Sequence, residues 1–452
     1  MAIGKNEATA TTDILGRRSV VQPSDPTKGA FFWLSAFFLV YCSRPEDWIP
    51  GLVYIPIAKI TALLAMWGLF NSFGRTKRTF KDLPKEGKIL LALIGLMYVG
   101  AFLSPIWKGG ALSRTIDFSK VFVAWVLVFL LITNFDRLRR IIFIQAVSLP
   151  VVCAISIIKG HNRPRLEGVL GGIYGNPNDL AFAIVLTLPF VLAFMLTSKS
   201  GIVKALWGCG MLIMSAALFL TASRAGFINL LISGSVTLYH FGIKGKRLYL
   251  IVAVGFLGVL LMAVAGGKLY DRFVALSGDS STEQSAYGSY EARKYLMERA
   301  LKGIEEYPIF GLGAHNFMSY SLIWHEVHMT YLQICVEGGI PVLILYLWFF
   351  RCGFKNLKIL RKTKNLDPDI VLFVGALHSS LVGFMVGALF GPEAYHFFPY
   401  FAVAFTSTLL QSVKEQEQAP QPGTEPPPLK KPRHFLEVYA DHARTGAVTP
   451  VR

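Results

Sequence analysis

The sequence contains few charged residues and lacks the short motifs of several enzyme classes. Only 16% of its 452 residues are charged, while 53% are hydrophobic; a soluble protein carries roughly 25% charged residues. It has no P-loop, no serine nucleophile elbow and no GxGxxG motif after a strand. The enzyme classes that depend on these motifs are therefore disfavoured. The composition instead predicts a membrane protein.

Cysteine is also scarce. The five cysteines are Cys42, Cys153, Cys209, Cys335 and Cys352. They fall mostly within or beside apolar runs and lack the spacing of metal ligands, so we interpret them as small buried hydrophobic residues. We expect no metal and no cofactor, because the pair His325 and His328 has no nearby aspartate or cysteine that would complete a metal site.

Apolar runs of about 17–25 residues, each long enough to cross a bilayer core of about 30 Å, recur along most of the chain. We predict an all-α polytopic membrane protein with about twelve transmembrane helices. The expected spans are 30–42, 51–71, 89–105, 117–134, 141–158, 179–197, 203–221, 225–241, 248–266, 328–350, 369–390 and 395–412.

The net charge of +17 is distributed unevenly. The cations form clusters in alternate loops, at 75–88, 137–140, 199–204, 244–247 and 351–364. All five clusters lie on the cytoplasmic side if both termini are cytoplasmic, which satisfies the positive-inside rule. We therefore expect an even number of spans and no nucleic-acid partner.

One loop on the predicted outer side is long, at 267–327. Its second half, from Tyr290 to Tyr307, has apolar residues at helical spacing, which predicts an amphipathic helix lying over the site at the membrane surface. These apolar residues are Leu296, Met297, Ala300, Leu301 and Ile304. Pro308 and the following glycines are expected to end this helix.

The chain divides by composition into three parts. Residues 1–29 are polar and predict a cytoplasmic N-terminal segment. Residues 30–412 form the predicted transmembrane catalytic domain. Residues 413–452 are rich in Pro, Glu, Gln and Lys, which predicts a disordered cytoplasmic tail.

Two arginines on the predicted outer side depart from the general charge pattern. Arg224 lies in a tight link, Thr-Ala-Ser-Arg-Ala-Gly, between two apolar runs, and Arg293 opens the loop helix. A planar guanidinium binds phosphate oxygens in pairs, so both are candidates for binding an anionic substrate. Two alternatives remain open. Arg224 can reach a lipid phosphate, and Arg293 can pair with Glu298 on a solvated helix face.

The predicted outer loop at 159–178 adds Arg163 and Arg165, followed by a compact turn with glycines and Asn-Pro. The side chain of Asn176 is a candidate for binding sugar hydroxyls. The alternative is capping of the next helix; we assign capping to Asp179 and leave Asn176 open. The outer loops contain no Asp-x-Asp motif of the kind that often binds a metal in glycosyltransferases.

His328 begins an apolar run directly after the long polar loop. A histidine with an ordinary pKa near 6.5 is suited to take a proton from a sugar hydroxyl, a contribution of about 10²–10⁴-fold. We therefore predict that His328 is the general base. His325 shares a helix face with it if the helix begins early.

Four sequence motifs occur in a fixed order. They are Gly175-Asn-Pro-Asn-Asp-Leu-Ala181, Thr221-Ala-Ser-Arg-Ala-Gly226, Arg293 with Tyr307-Pro-Ile-Phe-Gly-Leu-Gly313, and His328-x-x-Tyr331-Leu332-x-x-x-x-Glu337-x-Gly339. The ordered set resembles the O-antigen ligase / O-antigen polymerase superfamily of bacterial polysaccharide membrane enzymes. The sequence departs from that pattern at Met329, where the family usually has a polar residue. This difference affects how the acceptor would be bound, but not the role of the histidine.

The resemblance implies a GT-C-like glycosyltransferase. Such an enzyme takes a glycan from undecaprenyl diphosphate at the periplasmic face of the inner membrane, without a metal and with inversion. It also implies that Arg224 and Arg293 bind the diphosphate, and that His328 deprotonates or orients the acceptor hydroxyl. Further candidate substrate contacts are Arg163, Arg165, Asn176, His325 and Tyr331.

The acceptor stays open at this point. Our first hypothesis is a ligase that transfers the glycan to the lipid A core. A polymerase of lipid-linked repeats and a protein O-oligosaccharyltransferase are the alternatives within the superfamily. A transporter of lipid-linked sugars is an alternative of another class, but it would be expected to carry ionisable groups at mid-membrane, and the predicted spans are nearly free of charge.

Overall fold

The computed structural model describes residues 10–12, 18–20, 25–160, 165–168, 172–259, 263 and 283–418. This part of the chain is helical apart from two three-residue strands, β1 (Ala10–Thr12) and β2 (Arg18–Val20), which pair antiparallel. The chain divides into two compact units, Met1–Ser412 and Val413–Arg452. All residues whose structure is discussed below belong to the first unit, except the end of the last helix.

The helices follow one another with short links. They are α1 (Lys28–Ser43), α2 (Pro45–Trp48), α3 (Ile57–Asn71), α4 (Lys85–Leu103), α5 (Lys108–Leu131), α6 (Phe135–Gly160), α7 (Pro177–Thr197), α8 (Gly201–Leu220), α9 (Arg224–Leu238), α10 (Tyr249–Val259), α11 (Glu283–Glu306), α12 (Phe317–Tyr320), α13 (Thr330–Gly338), α14 (Ile340–Leu360), α15 (Pro368–Gly387) and α16 (Phe397–Glu417). Three short 3-10 helices cover Leu52–Tyr54, Phe80–Asp82 and Gly172–Tyr174, and a π-helical turn, Tyr239–Ile243, extends α9.

Every predicted span overlaps one of these helices. Seven helices in the described residues are long and apolar enough to cross a membrane: α4, α6, α7, α8, α9 with its π-helical turn, α14 and α15. Three apolar helices, α1, α3 and α10, are shorter. The described residues thus form a polytopic membrane protein that is helical apart from the short β1–β2 pair. The count of twelve spans and the GT-C-like arrangement stay predictions.

The predicted span at 328–350 is divided into α13 and α14 by Gly339, whose φ is +84°. The nine residues of α13 extend about 14 Å, so this helix is too short to cross a bilayer. The prediction of one continuous helix was wrong, because apolarity is the same on both sides of the break. Only the left-handed glycine and Pro341 at the start of α14 mark it.

The segment after α11 closes this break with backbone hydrogen bonds. The amides of Leu312 and Gly313 donate to the carbonyls of Val336 and Glu337 (both 2.9 Å), and the amide of Ile340 donates to Pro308 (2.8 Å). These bonds satisfy backbone groups that the end of α13 would otherwise leave unpaired.

The predicted loop helix is present as α11, which begins earlier than predicted, at Glu283, and packs against α13. The buried residues of this contact are Leu296, Ala300, Leu312, Phe317, Val327 and Val336. Met297 and Leu301, which we placed on the same apolar face, are 46% and 47% exposed. The first half of the predicted loop lies largely outside the described residues.

The helices α7 and α15 form the buried centre of the first unit. The helix α7 packs against α6, α8, α9 and α15, and α15 also packs against α9 and α14. The beginning of α7 and the end of α15 therefore bring the links before and after them close to the loop that precedes α13; the amide of Thr330 donates to the carbonyl of Ala388 (2.8 Å).

Candidate active site

Arg224 is the first residue of α9 and follows a strained link. Ala222, in the middle of that link, is buried and has a φ of +46°, a conformation that costs an alanine about 1–3 kcal/mol. The hydroxyl of Ser223 accepts a hydrogen bond from the amide of Gly226 (3.1 Å) and caps the helix. Within the described residues the half-buried guanidinium of Arg224 has no carboxylate or hydrogen-bond partner.

Asn178 joins this link to the loop before α7. Its side-chain oxygen accepts hydrogen bonds from the hydroxyl of Ser223 (2.7 Å) and from the guanidinium of Arg165 (3.2 Å). Arg165 also donates to the carbonyl of Thr221 (3.0 Å). Arg165 thus binds the same link that carries Arg224, while Arg163 lies outside the described residues.

Asn176 caps α7. Its side-chain oxygen accepts from the amide of Asn178 (2.9 Å), and its side chain is otherwise exposed. The assignment of the cap to Asp179 was wrong, because Asp179 already lies inside the first helical turn. Asp179 is instead within electrostatic range of Glu393, His396 and Glu326.

His328 lies in the segment before α13 and is neutral at physiological pH. Burial lowers its pKa to about 4, and the charge of Arg293 and the electrostatic effect of His325 act in the same direction. The structure therefore brings His328, Arg293 and His325 together. A neutral imidazole can accept a hydrogen bond from a hydroxyl, but one with so low a pKa holds a proton weakly.

Two further predicted contacts have partners within the protein. His325 is exposed, and its Nδ1 lies 2.7 Å from the carbonyl oxygen of Ile323. The hydroxyl of Tyr331 donates to the carbonyl of Met385 in α15 (2.6 Å). The condition under which His325 and His328 would share a helix face is not met, because α13 begins only at Thr330. Substrate contacts of His325 and Tyr331 stay predictions.

The sequence analysis missed an ion pair in the link between α15 and α16. A carboxylate oxygen of Glu393 lies 2.6 Å from Nδ1 of His396. The Glu393 side chain is 3% exposed and that of His396 is 31% exposed. The amide of Glu393 donates to the hydroxyl of Thr330 (2.9 Å), which itself donates to the carbonyl of Gly391 (2.7 Å). A glutamate three residues before a histidine, in a short polar link, is the signal that could have found this pair.

The pKa of His396 is raised, whereas that of His328 is lowered. Burial disfavours the charged ring, but the carboxylates of Glu393, Asp179 and Glu326 outweigh burial and raise the pKa of His396 to about 9. Burial also raises the pKa of the Glu326 carboxyl group, against the effect of His396 and Arg114.

His315 adds an aromatic contact beside this cluster. Its Nδ1 lies 3.2 Å from a carboxylate oxygen of Glu326. Its ring stacks on that of Tyr395 with the centroids 5.1 Å apart, and the Tyr395 hydroxyl donates to Glu337. Burial and the charge of Arg114 lower the pKa of His315 to about 4.

The site therefore has two parts. One guanidinium group, that of Arg224, lies at the start of α9. Arg293 lies in the middle of α11, which begins ten residues earlier than a helix opened by Arg293 would. Imidazoles and carboxylates lie around the start of α13 and in the link after α15. The cationic part can bind an anionic leaving group, and the second part can bind and deprotonate a hydroxyl. Among the described residues, no group of three His, Cys, Asp or Glu side chains is arranged to hold a metal ion.

Comparison with known proteins gives a consistent result. Residues 209–347 match the family model described as O-antigen ligase. The chain is similar to the teichuronic acid biosynthesis protein TuaE of Bacillus subtilis, with 21% identity over 436 residues and 88% of each chain covered. It is also similar to an uncharacterized protein of Haemophilus influenzae, with 24% identity over 375 residues, covering 76% of this chain and 88% of that protein.

The matched residues include Arg224, Arg293 and His328, whereas Glu393 and His396 lie beyond the match. The resemblance is therefore confirmed: residues 209–347, which hold three of the four motifs, match the O-antigen ligase family model.

Proposed function

We propose that this protein transfers a glycan from undecaprenyl diphosphate to an acceptor hydroxyl at the periplasmic face of the bacterial inner membrane, with both termini in the cytoplasm. The observation that supports this most is the half-buried guanidinium of Arg224, which has no partner among the described residues. It lies at a helix N-terminus, where backbone amides also favour an anion. Arg165, bound to the same link, widens the cationic region.

The chemistry follows from charge. As the bond between the anomeric carbon and the diphosphate breaks, negative charge grows on the leaving diphosphate. Arg224 and Arg293 stabilise it, each charge-assisted hydrogen bond contributing about 1.5–3 kcal/mol. This is a task that other glycosyltransferases give to a metal. The neutral ring of His328 accepts a hydrogen bond from the acceptor hydroxyl and orients it for attack with inversion.

The preferred acceptor is the lipid A core. A second candidate is polymerisation, in which one lipid-linked glycan is transferred to another. The name of the B. subtilis relative, which refers to teichuronic acid biosynthesis, favours assembly of a polysaccharide and keeps the polymerase as a strong candidate.

Product size separates these candidates. The full-length protein in nanodiscs is given an undecaprenyl-diphosphate-linked glycan alone, and then the same donor with lipid A core. Growth of the lipid-linked glycan without core identifies a polymerase. Transfer only after core is added identifies a ligase. No transfer under either condition contradicts both, and a protein acceptor and transport of the donor across the bilayer are then tested.

A matched pair of variants tests the cationic part. Arg224→Ala should lose donor binding and transfer. Arg75→Ala removes an exposed arginine whose only described side-chain hydrogen bond is to the carbonyl of Asn71, the last residue of α3, and should behave as the wild type. Unchanged donor affinity in both Arg224→Ala and Arg293→Ala would contradict the assignment of the diphosphate site.

A further inference from the structure

We propose that His396, held by the buried carboxylate of Glu393, contacts the acceptor and takes the proton of its hydroxyl group. The inference rests on the proposed function and adds a catalytic residue that the O-antigen ligase match does not include.

Glu393 and His396 form a close, partly buried pair in the link after α15. The carboxylate of Glu393 lies against Nδ1 of His396 at 2.6 Å. This contact is an ion pair in which Nδ1 faces the carboxylate. In the neutral ring, which prevails only above the pKa of about 9, Nε2 faces away from Glu393 and can accept a proton. Glu393 is almost fully buried, whereas 31% of the His396 side chain is exposed. A buried carboxylate therefore holds the Nδ1 side of a ring that is itself partly exposed, and Glu393 is a positioning residue.

Glu393 contacts the start of α13, and His396 lies within electrostatic range of the start of α7. On one side, the amide of Glu393 is bound by the hydroxyl of Thr330, two residues after His328. On the other side, His396 is within electrostatic range of Asp179, the neighbour of Asn178, which binds the link that carries Arg224. The pair thus lies between the two parts of the site.

The pKa values of the two imidazoles are shifted in opposite directions. Burial and Arg293 keep the pKa of His328 near 4, so His328 is suited to orient a hydroxyl. The carboxylates that face His396 are Glu393 from its own link, Asp179 from α7 and Glu326 from the segment before α13, and they raise its pKa to about 9. Titratable groups whose pKa values are pushed apart in one site usually divide the proton-transfer work between them.

The step balances as follows. The acceptor O–H bond breaks, and its proton moves to Nε2 of neutral His396. The acceptor oxygen forms a bond to the anomeric carbon. The bond from that carbon to the diphosphate oxygen breaks, and its electron pair leaves with the diphosphate. His396 then releases the proton to solvent.

A pH profile of transfer tests this role. With the full-length protein in nanodiscs, kcat/KM should rise with pH and level off near pH 9, because only the neutral ring accepts a proton. In Glu393→Gln the negative charge that raises the pKa is gone, so the plateau should begin at a lower pH and lie about tenfold or more below that of the wild type. His396→Ala should lose about 10²–10⁴-fold in kcat and lose the pH dependence, while donor binding persists. His442→Ala serves as the histidine control and should match the wild type.

The outcomes are distinct. If His396→Ala keeps the wild-type rate, or if the rise toward pH 9 persists in it, the inference is wrong while the proposed function stands. If Glu393→Gln leaves the profile unchanged, the positioning role is wrong. If the wild-type protein transfers no glycan while it still binds donor, both the proposed function and this inference are overturned. Donor binding by each variant shows that it is folded.

Discussion

Arg78 lies beside the C-terminal end of a helix and Arg224 at the N-terminal end of another, and their surroundings differ strongly. Arg78, in a loop predicted to be cytoplasmic, is 1% exposed and donates to the carbonyls of Phe129 and Ile132 (3.1 and 2.7 Å) and to the hydroxyl of Ser412 (2.9 Å). It therefore satisfies carbonyls at the end of α5. Arg224 stands at the start of a helix, and within the described residues it has no such partners.

The difference shows what each cation does. A positive charge near a helix C-terminus is stabilised by the helix dipole, whereas one at the N-terminus is opposed by it. Arg137 lies in the first turn of α6, but its guanidinium is satisfied: it donates to the carbonyl of Leu131 at the end of α5 (2.7 Å) and pairs with Asp25. The position of Arg224 at a helix N-terminus is unfavourable on its own, and in the proposed function a bound anion offsets this. Arginines with satisfied guanidinium groups support the fold, and we propose that the unsatisfied Arg224 binds the donor.

The largest effect on stability is expected from Arg78→Ala. It removes three hydrogen bonds made by a buried charged group and leaves two buried carbonyls without this donor, a loss of about 3–5 kcal/mol. The midpoint of thermal unfolding in detergent should fall steeply, while the remaining folded protein binds donor normally. If Arg78→Ala has the stability of the wild type, Arg78 does not support the fold and the contrast with Arg224 is wrong.

Arg224→Ala is expected to act in the opposite way. Loss of two charge-assisted hydrogen bonds to the diphosphate costs about 3–6 kcal/mol of transition-state stabilisation, or roughly 10²–10⁴-fold in kcat/KM. Thermal stability should stay the same or rise slightly, because the unfavourable interaction with the helix dipole is removed. A fall in stability as large as that of Arg78→Ala would mean that Arg224 also supports the fold.

A smaller effect is expected from His328→Ala. Because the pKa of His328 is about 4, the ring contributes orientation more than basicity, and we expect a loss of about 10²-fold, the lower end of the range for such groups. Donor binding should persist. A variant that turns over at the wild-type rate would remove His328 from the mechanism.

The same pKa gives a prediction for stability against pH. The pKa of His328 is lower in the folded protein than its usual 6.5, so the unfolded chain binds a proton first as the pH falls. Stability should therefore decline between about pH 6.5 and pH 4, and His328→Gln should reduce this decline. Unfolding midpoints of the two proteins, measured across this range, give the comparison.

The smallest effect is expected from Asn176→Ala. Loss of the cap of α7 costs about 0.5–2 kcal/mol. Asn176→Asp keeps a capping oxygen and should restore stability. If it also restores transfer, Asn176 acts only as a cap; if transfer stays low, the side-chain amide contacts a sugar.

The sequence predicted the helices better than the site. Long apolar runs indicate a helix wherever they occur in a membrane protein, so every predicted span overlaps a helix. The break at Gly339 was missed because it depends on one backbone conformation. The motif arginines and His328 were identified because each is a polar residue in an unusual place.

The pair Glu393 and His396 could not be identified in the same way. It depends on a short link that meets Thr330 and the start of α7, contacts between segments far apart in the chain. A glutamate in an outer link is unremarkable until the buried environment around it is known. The cap of α7 was misassigned for a related reason: three polar residues within four positions, Asn176, Asn178 and Asp179, could each begin that helix.

The hydrogen bonds across the break between α13 and α14 have a consequence for motion. There is no space for a side chain on either glycine of this contact: a Cβ on Gly339 would lie 2.1 Å from the carbonyl oxygen of Ile309, and one on Gly311 would lie 2.5 Å from the backbone of Glu337. The backbones interlock, so α11 and α13 will shift as one rigid body. In hydrogen–deuterium exchange, we expect the amides of Leu312, Gly313 and Ile340 to open together. If the proposed donor displaces α11 when it binds, we expect the segment that carries His328 to be displaced with it.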